Sequence, residues 1–267
     1  MEKIIESVLR RVNIIRVFIA RLKNAKRVDK YEEETEFRPS AFDVPDLRDY
    51  TARIPKKIKL PLQTTNWKRS GRKATNQFQT MRCSAYGGEG AKGVSDSCEA
   101  QKPIYHDPLE LWGHQLLEGA SEKYGDYIQN MLKQLLRWGL YTDGKHYTIT
   151  EFRKITSKDP EVLMRWLALG KMVVTGLWVR EDEGYGNNYN RCRFDKDGIL
   201  HISSGRKMGG HLQFISDYKT ESDGVYFFFP NSYGDDWGDD GGCWVHESEI
   251  GNTMSKYVLF DTIDKVD

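Results

Sequence analysis

The chain has 267 residues, with 40 Lys and Arg side chains against 39 Asp and Glu, so its formal net charge is only +1. A uniformly basic nucleic-acid-binding protein is therefore not expected. Hydrophobic residues make up 39% and aromatic residues 12%, which excludes a disordered chain and predicts a globular protein with a substantial core. Four scattered cysteines are too few for a disulfide framework, and no CxxC pair indicates a structural zinc site.

The charge is unevenly distributed, because residues 1–27 hold eight Lys or Arg against two Glu, a net charge of +6 that leaves −5 for the rest. Within residues 4–22, apolar side chains at spacings of three and four predict one stripe of a helix: Ile5, Val8, Val12, Ile15, Ile19 and Leu22. Arginines interrupt this segment, so neither a Sec signal peptide nor a membrane span is expected, and we predict a cytoplasmic or virion-associated protein. We expect the helix (1–28) to pack against the protein's own body, another copy or a larger assembly, with an anionic membrane surface as the alternative.

Residues 29–58 lose the helical period and gain charge and proline, which predicts an extended linker or arm. Beyond this arm, capping residues and apolar periodicity predict three helices. They are expected from the N-cap Asp107, with Glu110 closing a capping box, to about Glu118; through Ile128, Leu132, Leu135 and Leu136 to Gly139; and from Asp159-Pro160 to Gly170.

After Gly170 the pattern changes to short β-branched and aromatic runs between Gly, Asn and Asp turns. These runs predict strands at 172–179, 211–218, 225–230 and 256–260. The segregation of helices and strands indicates an α+β fold with a helical subdomain (59–150) and a β-rich subdomain (151–267), and a functional site in the cleft between them.

Three polar stretches carry residues suited to acyl transfer. Cys83 is predicted to begin a helix, whose dipole, together with a nearby imidazolium, would favour the thiolate. His211 would move the proton, and Asn231 would hold the imidazole in one tautomer without adding a negative charge. Gln77 lies six residues before Cys83, where its amide and the Cys83 N–H could stabilise an oxyanion.

These residues resemble the motifs of the papain-like cysteine peptidases. Asn76-Gln77, Cys83 and Ala85-Tyr86 match the nucleophile motif, and the segment Asn231-Ser232-Tyr233-Gly234 with Trp237-Gly238 is similar to the asparagine motif. His211 and Asn231 follow Cys83 by 128 and 148 residues, close to the spacing of that family. The similarity covers roughly residues 60–262, and it identifies a divergent member of bacterial or bacteriophage kind.

The resemblance implies a two-subdomain papain-like fold, with a helical N-terminal half and an antiparallel, β-barrel-like C-terminal half. It also implies a thiol-dependent endopeptidase that acts on polypeptides through a Cys83 acyl-enzyme, needs no metal or cofactor, and is made as a zymogen. Leu212, Gly125 and Trp237 are expected to contribute to substrate binding. The four glycines after Cys83 are expected to permit close packing rather than to form a phosphate loop.

The chain departs from the family pattern next to the nucleophile. Thr80 stands where the family has a bridging cysteine, and Arg82 and Ser84 flank Cys83 in place of Ser and Trp. Arg82 is expected to narrow the cleft or fill a substrate subsite. Two alternatives stay open: a catalytically weak binding module docked through its N-terminal helix into an assembly such as a phage particle, and an enzyme acting on cell-wall peptides or an acyl acceptor.

Overall fold

The computed structural model describes residues 51–52, 58–78, 80–180, 198–200 and 205–261. The predicted N-terminal helix (1–28) and nearly all of the predicted arm (29–58) lie outside these residues. The helices are α1 (Asn66–Ser70), α2 (Cys83–Ala100), α3 (Pro108–Leu117), α4 (Ile128–Arg137) and α5 (Pro160–Ala168), with a 3₁₀ helix at Glu247–Asn252. The strands are β1 (Leu140–Thr142), β2 (Lys145–Tyr147), β3 (Ile149–Ile155), β4 (Val173–Arg180), β5 (Lys207–Ile215), β6 (Asp217–Glu221), β7 (Gly224–Pro230), β8 (Gly242–His246) and β9 (Lys256–Asp261).

The three helices predicted from capping residues and periodicity are confirmed as α3, α4 and α5. Asp107 caps α3 by accepting the Leu109 N–H at 2.9 Å, and Asp159 caps α5 by accepting the Glu161 N–H at the same distance. The Glu110 carboxylate, predicted to close a capping box, accepts the N–H of Tyr141 at 3.1 Å and ties α3 to β1.

The nine described strands form three sheets in which every pairing between them is antiparallel. β1 and β2 form a hairpin, the four-stranded sheet has the order β3-β9-β4-β5, and the three-stranded sheet has the order β6-β7-β8. The predicted α+β class is therefore confirmed.

The four-stranded sheet separates two hydrophobic cores, because side chains along a strand alternate between its faces. Val174 and Leu212 join the core that holds α2, α3 and α4, whereas Val173 and Ile215 join the core that holds α5 and the three-stranded sheet. A strand buried on both faces has a continuous apolar sequence rather than an alternating one, as residues 172–179 show.

Some elements depart from the prediction. The run 211–218 is two strands, because the chain passes from one sheet to the next at Ser216, whose N–H donates to the Phe228 carbonyl of β7. β3 was not predicted as a strand, and it pairs with β9 near the end of the described chain. Just beyond the expected arm (29–58), the Thr64 N–H donates to the Tyr218 carbonyl, so residues 62–64 pack along the edge of β6.

Candidate active site

The thiol of Cys83 lies at the start of the central helix. Cys83 is the first residue of α2, it follows the N-cap Arg82, and it is only 4% exposed. The first backbone N–H groups of a helix carry a partial positive charge, which stabilises a thiolate relative to a thiol. The structure therefore places the predicted nucleophile where a helix terminus favours its reactive form.

The next turn of α2 brings this helix close to β5, the strand that carries His211. A Cβ at Gly87 would lie 2.2 Å from Cδ2 of Leu212, and a Cβ at Gly90 would lie 2.7 Å from the ring of Phe214. A larger residue at Gly87 would force the buried Leu212 side chain, or the helix and the strand themselves, to move. The expected close packing of these glycines is thus confirmed, and it holds the Cys83 helix against the residue next to His211.

His211 and Asn231 form a hydrogen-bonded pair that fixes the tautomer of the imidazole. His211 Nε2 lies 2.7 Å from Asn231 Oδ1, and the same Oδ1 accepts the N–H of Ser232 at 2.7 Å. Because a backbone N–H can only donate, this atom of Asn231 is the amide oxygen, and Nε2 must carry a proton. The opposite ring nitrogen, Nδ1, is then the basic one.

Two aromatic rings cover the His211–Asn231 pair from solvent. Tyr233 stacks on the imidazole with ring centroids 4.8 Å apart and an angle of 17° between the planes, and Trp237 meets Tyr233 edge-on at 5.6 Å. His211 is 2% exposed. This burial lowers its pKa from 6.5 to about 4, against the opposing effect of the Asn231 hydrogen bond, so the imidazole is a neutral base near pH 7.

Gln77 is held to the loop that carries Asn231. Its Oε1 accepts the Ser232 hydroxyl, its backbone N–H donates to the Ser232 carbonyl at 2.9 Å, and its Nε2 donates to the Thr80 carbonyl at 2.8 Å. Asn76 and Tyr233 form an isolated β-bridge beside these contacts. Sequence reasoning gave Ser232 no role, although it stands next to Asn231 and joins the two side-chain amides of the predicted site.

No family model matches the chain. Cathepsin B-like CP3 of Giardia intestinalis is 31% identical over 103 residues, which are 35% of this chain and 31% of that relative. The chain thus spans about a third of the length of this curated relative.

Solved structures are similar over most of the chain. Xylellain, a cysteine protease from Xylella fastidiosa, superposes with a TM-score of 0.68 at 20% identity and covers 85% of this chain and 97% of its own. ProCathepsin B S9 from Trypanosoma congolense gives 0.66 at 13% identity, covering 85% and 87%. Procathepsin L 3 of Tenebrio molitor gives 0.63 at 12% identity, covering 94% and 89%. The fold is that of the papain-like cysteine proteases.

Arg82 and Ser84, the residues on either side of Cys83, both bind side chains of the helical subdomain. The Arg82 side chain is 7% exposed and bound to Glu122, with Nη2 3.1 Å from Oε1. The Ser84 hydroxyl accepts a hydrogen bond from Gln115 at 2.8 Å. This ion pair holds the guanidinium against a loop of the helical subdomain, and the expected effect of Arg82 on the cleft or on a substrate subsite stays a prediction.

The predicted substrate-binding residues differ in their surroundings within the papain-like fold. Leu212 is 2% exposed and packs against Gly87 in the core. Gly125 lies in the loop between α3 and α4 with a φ of 73°, and Trp237 packs on Tyr233. The roles of Leu212, Gly125 and Trp237 in substrate binding stay predictions.

The remaining candidate groups do not form a second site in the described part of the chain. His106 is buried between the Asp96 carboxylate, 2.7 Å from Nε2, and the Thr142 hydroxyl, 2.8 Å from Nδ1. His201 and Cys192 lie outside the described residues. Within the residues that the structure describes, His, Cys, Asp and Glu side chains do not cluster as a metal site would require. None of the described helices is long and apolar enough to cross a bilayer.

Proposed function

We propose that this protein is a thiol-dependent endopeptidase that hydrolyses peptide bonds through an acyl-enzyme on Cys83. One observation carries the proposal: His211, hydrogen-bonded to Asn231, lies on β5, the strand against which α2 packs at Gly87 and Gly90, and Cys83 begins α2. A thiol at a helix N-terminus beside a buried imidazole with a fixed tautomer is suited to acyl transfer. The papain-like fold and the partial match to a cathepsin B-like protein support the same reaction class.

In the proposed mechanism, Nδ1 of His211 takes the proton of the Cys83 thiol, and the sulfur attacks the carbonyl carbon of the peptide bond. The Gln77 amide and the Cys83 N–H stabilise the negative charge on the carbonyl oxygen. The imidazolium then donates its proton to the leaving amine as the C–N bond breaks. Water, deprotonated by His211, attacks the thioester, and the thiol and the carboxylic acid product are released.

The electrostatics of the pair support this division of roles. Burial disfavours a permanent charge on His211, so the ring accepts a proton only as the sulfur releases one. Asn231 favours the imidazolium when it forms, because its hydrogen bond raises the pKa of the ring. A carboxylate in that position would hold the imidazolium more tightly and weaken its ability to protonate the leaving amine.

We extend the proposal to the substrate and to biosynthesis. The substrate is a polypeptide that contacts Gly125 and Trp237, and the net charge of −5 outside residues 1–27 favours basic peptides. The chain is made as a zymogen in which residues 1–58 precede the mature enzyme, and two of the similar structures are proforms of cathepsins. Docking of the N-terminal helix and a cytoplasmic or virion-associated location belong to the same proposal.

Intact-mass spectrometry of the purified full-length chain tests the function. The wild type should remove its own N-terminal segment, take up one equivalent of an epoxide inhibitor of the thiol-peptidase class and cleave a fluorogenic peptide, whereas Cys83→Ala should keep its full mass and do none of these. Cys98→Ala is the matched control, since Cys98 is a half-buried thiol whose Sγ lies 3.2 Å from the Asn66 carbonyl oxygen.

Undiminished labelling of Cys83→Ala would refute the assignment of the nucleophile. Labelling of the wild type without any peptide cleavage would refute the endopeptidase and support the binding-module alternative instead.

A further inference from the structure

The loop between α3 and α4, residues 118–127, folds into a tight turn beside the nucleophile helix. The Gly125 N–H donates to the Ser121 carbonyl at 2.7 Å, and the Ser121 N–H donates back to the Gly125 carbonyl at 3.0 Å. Glu122 lies inside this turn, with its side chain 13% exposed. The turn thus presents one nearly buried carboxylate to its surroundings.

Arg82 meets this carboxylate with two donors. Nε and Nη2 of Arg82 lie 3.3 Å and 3.1 Å from the two oxygens of Glu122, and the indole N–H of Trp112 donates to the same carboxylate at 2.8 Å. Trp112 is fully buried in the core of the helical subdomain. A two-pronged guanidinium–carboxylate contact fixes direction as well as distance, and the indole anchors the carboxylate to a rigid element.

Ser84, on the other side of Cys83, is tied to the end of the same loop. Its hydroxyl accepts from Nε2 of Gln115, and this amide also donates to the carboxylate of Asp126. The Asn130 amide donates to that carboxylate at 2.9 Å. Both neighbours of the nucleophile are therefore bonded, directly or through one amide, to residues 118–127.

These contacts bear on the Arg82–Cys83 peptide, which carries the N–H assigned above to the oxyanion. The Arg82 carbonyl is held at 3.1 Å by the Tyr86 N–H, one turn along α2. Arg82 is the N-cap, so the rest of its backbone lies outside the repeating hydrogen bonds of the helix. The side-chain contact with Glu122 is the second anchor of this peptide.

We propose that Glu122, acting through Arg82, is a positioning residue that holds the Cys83 N–H in the direction of the developing oxyanion. The inference rests on the proposed function, and it assigns no role to Glu122 in proton transfer. It also assigns a use to the large cation that stands next to the nucleophile. The charge is neutralised by Glu122, and the side chain fastens the nucleophile helix to the loop.

Two reagents that react with or bind Cys83 test this role in Glu122→Gln. Peptide aldehydes form a hemithioacetal whose oxygen uses the oxyanion donors, whereas alkylation by iodoacetamide develops no oxyanion. We expect kcat and aldehyde affinity to fall by about tenfold or more, because small displacements of a catalytic group are costly. KM and the alkylation rate should stay within about twofold of the wild type, since substrate binding and thiolate formation are unaffected.

The matched control is Glu161→Gln, which breaks the Arg165–Glu161 pair of α5, where the arginine is buried to a similar degree and Nη2 lies 2.6 Å from Oε1. This control should leave kcat, KM, aldehyde affinity and the alkylation rate unchanged. Arg82→Lys keeps the charge but loses the two-pronged contact, so it should reduce kcat and aldehyde affinity in the same direction. It also provides the test if Glu122→Gln does not fold.

Wild-type kcat and aldehyde affinity in a folded Glu122→Gln or Arg82→Lys protein would overturn the positioning role. An equal loss of alkylation rate would overturn it as well, because the damage would then extend to the thiol itself. A wild type that cleaves no peptide would instead defeat the proposed function. Aldehyde affinity and alkylation need no turnover, so they would still decide the role of Glu122.

Discussion

The burial of His211 makes the stability of the protein depend on pH in a defined window. The native pKa is about 4, whereas the unfolded chain titrates near 6.5. Between these values the unfolded state binds one proton more than the native state, so the free energy of unfolding falls as the pH falls. The difference of roughly 2.5 pKa units corresponds to about 3 kcal/mol lost by pH 4, and nothing lost above pH 7.

Urea unfolding of two variants isolates this contribution. Cys83→Ala prevents self-cleavage and thiol chemistry, and the double variant Cys83→Ala with His211→Gln adds a side chain that can still donate to Asn231 but does not titrate. Carboxylates contribute equally to both, so the difference between the two free energies of unfolding reports His211. We expect it to change by about 3 kcal/mol between pH 7 and pH 4.

Parallel stability curves over that range would refute the reasoning, because they would mean that the ring titrates alike in the native and unfolded states. Exposing the imidazole supplies an independent check. Tyr233→Ala removes the stacked ring, so the native pKa of His211 should rise towards 6.5 and the acid-dependent loss should shrink. Proton NMR of the imidazole in both proteins measures that pKa directly.

Three contacts described above give further predictions. Gly87→Ala should destabilise the protein by about 1–3 kcal/mol and reduce kcat, because its Cβ would meet Leu212, whereas Gly251→Ala has open space around it and should change stability by less than about 0.5 kcal/mol. Urea titration and kcat measure both effects, and equal effects of the two variants would contradict the packing argument. Asn231→Ala should lower the pKa of the His211 imidazole further, because the hydrogen bond with Asn231 raises that pKa, and it should lower kcat by roughly 100-fold. An NMR titration that shows a raised pKa of His211 would contradict this. Asp159→Ala should cost about 1 kcal/mol through loss of the α5 cap and leave kcat unchanged, and a thermal midpoint equal to that of the wild type would argue against the cap.

Local chemistry explains which parts of the fold could be predicted from the sequence. The capped helices could be predicted because an N-cap Asp accepts one of the first backbone N–H groups and the Pro that follows it has no N–H to satisfy, as at Asp107 and Asp159. The β1–β2 hairpin was missed although its turn residues, Asp143 and Gly144, both adopt positive φ as a two-residue Asp-Gly turn requires. Its strands, at three residues each, are too short to show a period.

The break at Ser216 could not be predicted from the neighbouring residues, because the switch between sheets depends on where β7 lies. β3 pairs with the distant strand β9, and α5 packs in one core with the three-stranded sheet. Neither contact can be predicted from the residues of these elements alone. Sequence periodicity reports which face of an element is buried, but it does not say which neighbour covers it.

The candidate site divides in the same way. Cys83, His211, Asn231 and Gln77 were predicted from residue type and spacing, and the structure joins the last three by hydrogen bonds through Ser232. The ion pair of Arg82 was not predictable, because Glu122 is 40 residues away and one acidic residue in a polar loop looks like any other. Motif spacing can identify the candidate reacting groups, whereas the residues that hold them in place depend on how the loops pack in the folded protein.

The loop at Asn76–Gln77 pairs with the loop at Asn231–Tyr233, and this pairing links the proposed activity to local folding. The amide proposed for the oxyanion and the amide that holds the imidazole share one small set of hydrogen bonds, so a local opening that frees either loop separates both. A molecule in which the two loops have not closed on each other therefore lacks both parts of the proposed site at once.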